Sequence, residues 1–289
     1  VYELGSVFKT FTLAAAINEG IIEPETEFKN LEKSVKCGKN TIKEYDNQIP
    51  TNLTAEQILI RSGNIGSIRI GQALGLKKFK KFLNDLNLIN SIQFDIEEVG
   101  IPISFNWGKC KLATASYGHG ITTTILQLAN AYSIIDNGGY KIEPTLIKKN
   151  LNSKKEKILN KGVSKKIVSI LRKIVITKEG TASLANVEGY EVAGKTGTAQ
   201  KSTLGGYSKN KINTFASIFP ASNPKFTLVV MLDEPKTNSE YLYNYRDGSN
   251  IKYKGTPFNT AGWTSVEVVG QIIEKIGPIL ATKYNEVYQ

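Results

Sequence analysis

Three short segments of this 289-residue chain carry side chains that could perform acyl transfer together. In Gly5-Ser6-Val7-Phe8-Lys9 a hydroxyl and an amine lie three residues apart, which puts them on one face of a helix, one turn apart. A serine at a helix start sits near the positive end of the dipole and among free backbone N–H groups, which stabilise a forming alkoxide. A desolvated Lys9 loses its proton easily and can then take one from Ser6. Taken alone, the spacing fits a Ser N-cap with a solvated lysine better.

Arg61-Ser62-Gly63-Asn64 forms the second segment, between two predicted helices. There a hydroxyl and a carboxamide two residues apart point into one space. Ser62 could relay a proton between Lys9 and a leaving amine, and Asn64 could hold a substrate amide. An ordinary helix cap before Ile65 explains the same residues. The third is Val192-Ala193-Gly194-Lys195-Thr196-Gly197-Thr198-Ala199. Lys195, Thr196 and Thr198 suit a terminal carboxylate, and Gly197 would let an extended peptide pair along a strand edge. The Thr198 N–H could complete an oxyanion hole with the Ser6 N–H. A glycine-rich turn with a surface lysine would not explain the second glycine and the two threonines.

The elements that must position these residues follow from periodicity. Helices are predicted at Ser6 to Asn18, with Gly20 as a stop, and at Ala55 to Arg61, capped by Thr54. Further helices are predicted at Ile65 to Leu74, Lys77 to Leu86, Thr124 to Asn137 and Ser164 to Thr177. Residues 28–50 read as polar, broken chain. After Gly180 the pattern turns to strands: Tyr190 to Ala193, Thr214 to Phe219 and Phe226 to Leu232. A last helix spans Ser265 to Ile276, with Pro278 marking its end. An opening helix, a helical block, late strands and a closing helix give an α/β (α+β) chain with a helical insertion.

Composition excludes several classes. A hydrophobic content of 40% and a charged content of 22% are those of a globular chain, not a disordered one. The formal charge of +11 would suit an anionic partner. Almost all of it is lysine, however; Arg61, Arg69, Arg172 and Arg246 are the arginines, whereas phosphate and base readout favours arginine. With no basic stripe interleaved with aromatics, nucleic-acid binding is not expected. Two cysteines and one histidine offer no metal-ligand spacing, so no metal and no cofactor are expected. Cys37 and Cys110 can be free thiols, the commoner case, or a disulfide; the sequence leaves both open. No apolar run reaches the ~18–20 residues of a membrane span. The first residue is not Met and lies five positions before Ser6, so the chain reads as a fragment.

Together, in this order, the three segments resemble the motif set of penicillin-binding proteins and serine β-lactamases. The resemblance extends over nearly the whole chain and is closest to the transpeptidase domain of class B penicillin-binding proteins. Tyr2-Glu3-Leu4-Gly5-Ser6-Val7-Phe8-Lys9-Thr10-Phe11-Thr12 is similar to their nucleophile segment. Ser116-Tyr117-Gly118-His119-Gly120-Ile121, Leu126-Gln127, Asn137-Gly138-Gly139 and Gly180-Thr181-Ala182 fall where that family has them. Tyr117-Gly118-His119-Gly120 and Ala261-Gly262-Trp263-Thr264 resemble the cell-division (septal) type.

The resemblance implies a penicillin-binding protein/serine β-lactamase-like fold: a central antiparallel sheet packed by helices, plus a mainly helical lobe at 34–162. The α/β lobe would take 1–33 and 163–289. Strands that precede the nucleophile helix in the family would be missing, leaving the strand near Phe226 to Leu232 with an unpaired edge. Ser6 would attack the D-Ala–D-Ala bond of a peptidoglycan stem peptide, with Lys9 as base, Ser62 as relay and Lys195 supplying positive charge. Asn64, Thr196, Gly197 and Thr198 would bind substrate. An acceptor amine would then give a 4-3 cross-link, and β-lactams would acylate Ser6. Divisome proteins, including a glycosyltransferase, are implied partners. The implied location is the periplasmic face of a bacterial inner membrane, with an N-terminal anchor outside this chain. Gly63 stands where many members have Ser, between intact catalytic positions.

Motifs alone do not separate a transpeptidase from a serine β-lactamase, a D,D-carboxypeptidase or a non-catalytic β-lactam sensor or division scaffold. Glu97 and Glu98 read as structural or solvated, since Val99-Gly100-Ile101-Pro102 does not match a deacylating loop. His119, set between glycines, reads as part of a backbone-shaping turn and not as the catalytic base.

Overall fold

The protein is described by a computed structural model at residues 1–38, 40–148, 156–203, 206–246, 249, 251–255 and 258–288. Its organising element is α1 (Lys9–Asn18), entered through a 3-10 turn at Gly5–Phe8. Phe11, Leu13, Ala14, Ala15 and Ala16 surround the α1 axis, and a helix apolar on all sides must be buried. Every residue from Lys9 to Ile17 is buried, including the lysine. Tyr132 locks α1 from the side: its hydroxyl lies 2.9 Å from Thr10 Oγ1, and its ring meets Phe11 edge-on.

The chain then forms β1 (Glu27–Phe28), β2 (Ser34–Cys37), β3 (Asn40–Lys43) and β4 (Leu53–Thr54). The antiparallel pair β2–β3 lies within the region expected to be broken chain, and the pair β1–β4 closes it at its two ends. Four-residue strands in a lysine-rich stretch give almost no alternation to read. Next come α2 (Ala55–Ile60), α3 (Asn64–Leu74), α4 (Leu76–Asp85), α5 (Lys109–Ala115), α6 (Ile125–Asp136) and α7 (Lys161–Ile176). Thr54 and Thr124 both form capping boxes, with Gln57 and Gln127 respectively, which is why α2 and α6 start where the sequence predicts. Helix α5, with seven residues, is too short to have shown a period.

The central sheet is antiparallel, in the order β5 (Ala193–Thr203), β6 (Gly206–Phe219), β7 (Phe226–Asp233). Helices α6, α7 and α8 (Ser265–Tyr288) pack on it, and a small hairpin, β8 (Leu242–Asn244) with β9 (Lys252–Lys254), precedes α8. Among the described residues β7 pairs with β6 alone, and Phe226 to Leu232 stay half-buried.

Three predicted boundaries need correction. Strand β6 begins at Gly206, ahead of the predicted Thr214, because its polar, exposed first half still pairs with β5. Residues 190–192 lie outside β5, which starts at Ala193, because Glu191 takes a φ of +45° that no strand accommodates. Helix α8 continues past Pro278. Leu280, beyond the proline, still packs on the core, and this contact outweighs the ladder bond that proline removes.

Cys37 and Cys110 form a disulfide, settling the alternative the sequence left open. It fastens β2 to α5 across 73 residues, beside a small cluster in which Ile42 meets Ile65, Ile68 and Ala113. Cross-links that close long loops stabilise by roughly 2–4 kcal/mol. Denaturant titration with and without reductant is therefore expected to show a lower midpoint for the reduced chain, and Cys37→Ser should match the reduced wild type.

Candidate active site

Ser6 lies in the 3-10 turn ahead of α1, half-buried and lining a cleft of about 600 Å³. Gly5 makes the turn with a φ of +63°, and its backbone is pressed between two others. A Cβ on Gly5 would meet Thr198 O at 2.9 Å, and one on Gly118 would lie 1.9 Å from Gly5 O. The nucleophile segment is thus wedged between β5 and the 117–120 loop. Gly197, which the sequence reading gives to the substrate, turns its bare Cα to the same segment. A Cβ there would sit 2.1 Å from Leu4 O. Its role in this structure is to let β5 approach Ser6.

Lys9, one turn on, is 1% exposed. Its Nζ donates to Ser62 O (2.5 Å) and Asn64 Oδ1 (2.7 Å) and lies 3.2 Å from Ser62 Oγ. Burial lowers its pKa to about 7, partly opposed by the charge of Glu44. Lys195, on the edge strand β5 and fully buried, donates to Ser62 Oγ at 2.8 Å and to Thr196 O at 3.1 Å. Burial first, and the Lys9 charge second, push its pKa well down.

Ser62 connects the two amines, and the local fold explains its exposure to both. Helix α2 ends in a Schellman motif: Ser62 N–H donates to Leu59 O (3.1 Å) and Gly63 N–H to Ile58 O (2.9 Å). The residue in the left-handed position of this motif is Ser62 itself, with a φ of +57°. A side chain there costs about 1–2 kcal/mol relative to glycine. Asn64, the first residue of α3, is held by Nδ2 to Lys43 O at 2.9 Å. Thr196 Oγ1 lies 2.6 Å from Thr181 Oγ1, and Thr198 Oγ1 accepts from Ala261 N–H at 3.0 Å; both threonines line the cleft.

Every residue predicted for the site therefore meets at or directly behind one cleft. His119 lies on its rim, stacked on Tyr117 (5.8 Å, 3°) and 3.8 Å from Glu3 Oε2. Burial lowers its pKa, with Glu3 opposing and Lys111 assisting. Glu97 and Glu98 are exposed. Sequence reasoning missed Glu44, whose carboxylate accepts from the backbone N–H groups of Asn64 (2.7 Å) and Ile65 (2.8 Å). It also missed Tyr45 and Tyr245 of the cleft wall. No local pattern marks them. Among the described residues no cluster of metal-ligating side chains occurs.

This sheet and these two lysines around one hydroxyl define the class of serine–lysine active-site domains. The family model of the penicillin binding protein transpeptidase domain matches residues 1–250. The probable peptidoglycan D,D-transpeptidase FtsI of Caulobacter vibrioides is 28% identical over 98% of this chain and 47% of its own length. FtsI of Buchnera aphidicola is 32% identical over 83% and 43%, respectively. The probable D,D-transpeptidase PenA of Neisseria flavescens is 31% identical over 83% of this chain and 60% of its own length. The chain spans about half the length of these relatives.

The transpeptidase domain of Burkholderia pseudomallei penicillin-binding protein 3 superposes with a TM-score of 0.80 at 24% identity, over 97% of this chain and 79% of that one. Penicillin-binding protein 3 of Mycobacterium tuberculosis, solved with aztreonam, gives a TM-score of 0.79 at 23% identity, over 96% and 63%. The chain belongs to the penicillin-binding protein transpeptidase domain family.

Lys9 can accept a proton only in its neutral form, which prevails above about pH 7. The rate at which an acylating reagent captures Ser6 should rise through that pH and level off above it. Mass spectrometry of the adduct at fixed times across a pH series measures this.

Proposed function

We propose that this chain is the catalytic part of a peptidoglycan D,D-transpeptidase acting in septal cell-wall synthesis. The observation that carries the proposal is Lys9: a buried amine with its pKa near neutrality, hydrogen-bonded to Ser62 and Asn64 behind the cleft that Ser6 lines.

In this reading the Ser6 Oγ attacks the carbonyl carbon of the penultimate D-Ala while its proton passes to Lys9 Nζ. The N–H groups of Ser6 and Thr198, brought together by the contact of Gly5 with Thr198, receive the negative charge on the carbonyl oxygen. As the intermediate collapses, the C–N bond breaks. The departing D-Ala amine takes a proton through Ser62, whose Oγ touches both lysines. Lys195, Thr196 and Thr198 hold the terminal carboxylate, and Asn64 holds the stem-peptide amide. An amine from a second stem peptide then attacks the ester carbonyl, loses its proton to the site and leaves with the acyl group as a 4-3 cross-link, restoring the Ser6 hydroxyl.

A β-lactam follows the first half of this course. Opening its ring breaks the C–N bond, but the nitrogen stays tethered to the acyl group and blocks the second amine. The Mycobacterium tuberculosis relative with bound aztreonam supports this extension. The FtsI relatives are named peptidoglycan D,D-transpeptidases, which supports the cross-linking reading; divisome proteins and a glycosyltransferase are the partners that the septal-type motifs imply. The Cys37–Cys110 disulfide suits an oxidising compartment, and with it the periplasmic face of an inner membrane.

Incubation with a penicillin should give one covalent adduct, mapped by peptide mass spectrometry to Ser6. Ser6→Ala should abolish it, and Lys9→Ala should suppress it as strongly. His119→Ala should leave acylation mostly intact. The adduct should persist for hours; rapid release of the opened drug would identify a β-lactamase instead.

A further inference from the structure

Glu44 follows β3 and meets the start of α3. Its two oxygens accept separately from the N–H groups of Asn64 and Ile65, the first two helical residues. These donors have no partner within the helix and stand at the positive end of its dipole, so a carboxylate is well placed there. The neighbouring Lys43 carbonyl accepts from Asn64 Nδ2, and Asn64 Oδ1 accepts from Lys9. Two consecutive residues of one hairpin thus hold Asn64 by backbone and side chain, and Asn64 holds the amine.

The hairpin is itself fastened. Ile42 packs on Ile65 and Ile68, and the disulfide joins β2 to α5. Two charged groups face Lys9: Glu44 from the hairpin and Lys195 from β5, of opposite sign.

We propose that Glu44 is a positioning residue for acyl transfer: from behind the cleft it fixes Asn64, and through Asn64 the Lys9 amine that serves Ser6. The inference rests on the functional reading above. Glu44 acts through two neighbours and needs no contact with substrate. Its negative charge also favours the protonated amine, against the burial that disfavours it. Removing that charge shifts Lys9 further toward the neutral form, so its titration midpoint moves down.

Glu44→Gln and Glu44→Ala in the whole chain test this, with two readouts. In the first, the Lys9 midpoint is followed by NMR of 13C-labelled lysine side chains, assigned with Lys9→Arg. In the second, the rate of penicillin capture at Ser6 is measured from pH 5.5 to 9, with circular dichroism to confirm folding. Glu44→Gln keeps one acceptor oxygen and should fold even if Glu44→Ala does not.

The expected result is a lower Lys9 midpoint in Glu44→Gln. Acylation should be slower by on the order of 10- to 100-fold, as for small displacements of a catalytic group, with its rising limb moved to lower pH. A folded Glu44→Gln with an unmoved midpoint overturns the inference, whatever its melting temperature. So does a wild-type acylation rate in that variant. If wild type forms no adduct at Ser6, the transpeptidase reading fails by itself. The midpoint then decides alone: a downward shift supports the placing of Glu44, and no shift overturns it.

Discussion

An amine removed from water is the constraint around which the rest of this fold is arranged. Lys9 is 1% exposed on a helix apolar on all sides, and an ammonium ion there would be poorly solvated. Burial answers this by lowering the pKa to about 7. Lys195 arrives from the sheet at the same hydroxyl, and each charge disfavours the other. Burial and the Lys9 charge both act against protonation of Lys195, so the site does not readily hold two ammonium ions. In the proposed mechanism Lys9 is the base and Lys195 the electrostatic stabiliser, and Glu44 is the counter-charge that favours the protonated Lys9 amine.

That arrangement is held at a cost to stability. The left-handed position closing α2 favours glycine, and Ser62 occupies it with the full Schellman hydrogen-bond pair intact. Strain of this kind persists where surroundings over-determine the conformation. Here two lysine amines on the side chain, and Glu44 on the next helix start, do so. Elsewhere the chain uses glycine where backbones must nearly touch: Gly5 and Gly118 beside the nucleophile turn, and Gly197 beneath it.

The parts of this design that were legible in the sequence are those with short, local signatures. Ser6 and Lys9, one helical turn apart, stand out once the other two segments are set beside them, and Thr54-Gln57 and Thr124-Gln127 have the local spacing of reciprocal caps. Lys195 and its threonines could be read from a cation, two hydroxyls and two glycines in one short run, although the strand that carries them begins where the predicted one ends. Glu44 could not, since its hydrogen bonds join a hairpin to a helix 20 residues on, and nothing in Lys43-Glu44-Tyr45 distinguishes it from any solvated acid. The same holds for the disulfide, whose cysteines are 73 residues apart, and for α8, where a distant contact at Leu280 overrides the stop signal of Pro278. Tertiary contacts, invisible to local pattern, decide each of these.

The proton inventory at Lys9 shows why the second lysine is needed. A neutral amine has two N–H groups, and its two shortest contacts, Ser62 O and Asn64 Oδ1, both of which can only accept here, use both. Its lone pair is left for a hydroxyl, and in the proposed mechanism that hydroxyl is Ser6, in the turn just ahead of α1. Ser62 Oγ accepts from Lys195, so its own proton is free to point into the cleft toward a departing amine. In that mechanism Lys9, after taking the Ser6 proton, carries three N–H groups, and Ser62 Oγ at 3.2 Å is there to accept the third. The hydroxyl then sits between two donors, which drives its proton outward. Proton uptake at one end of the chain and delivery at the other are thereby coupled through a single oxygen held in a strained turn.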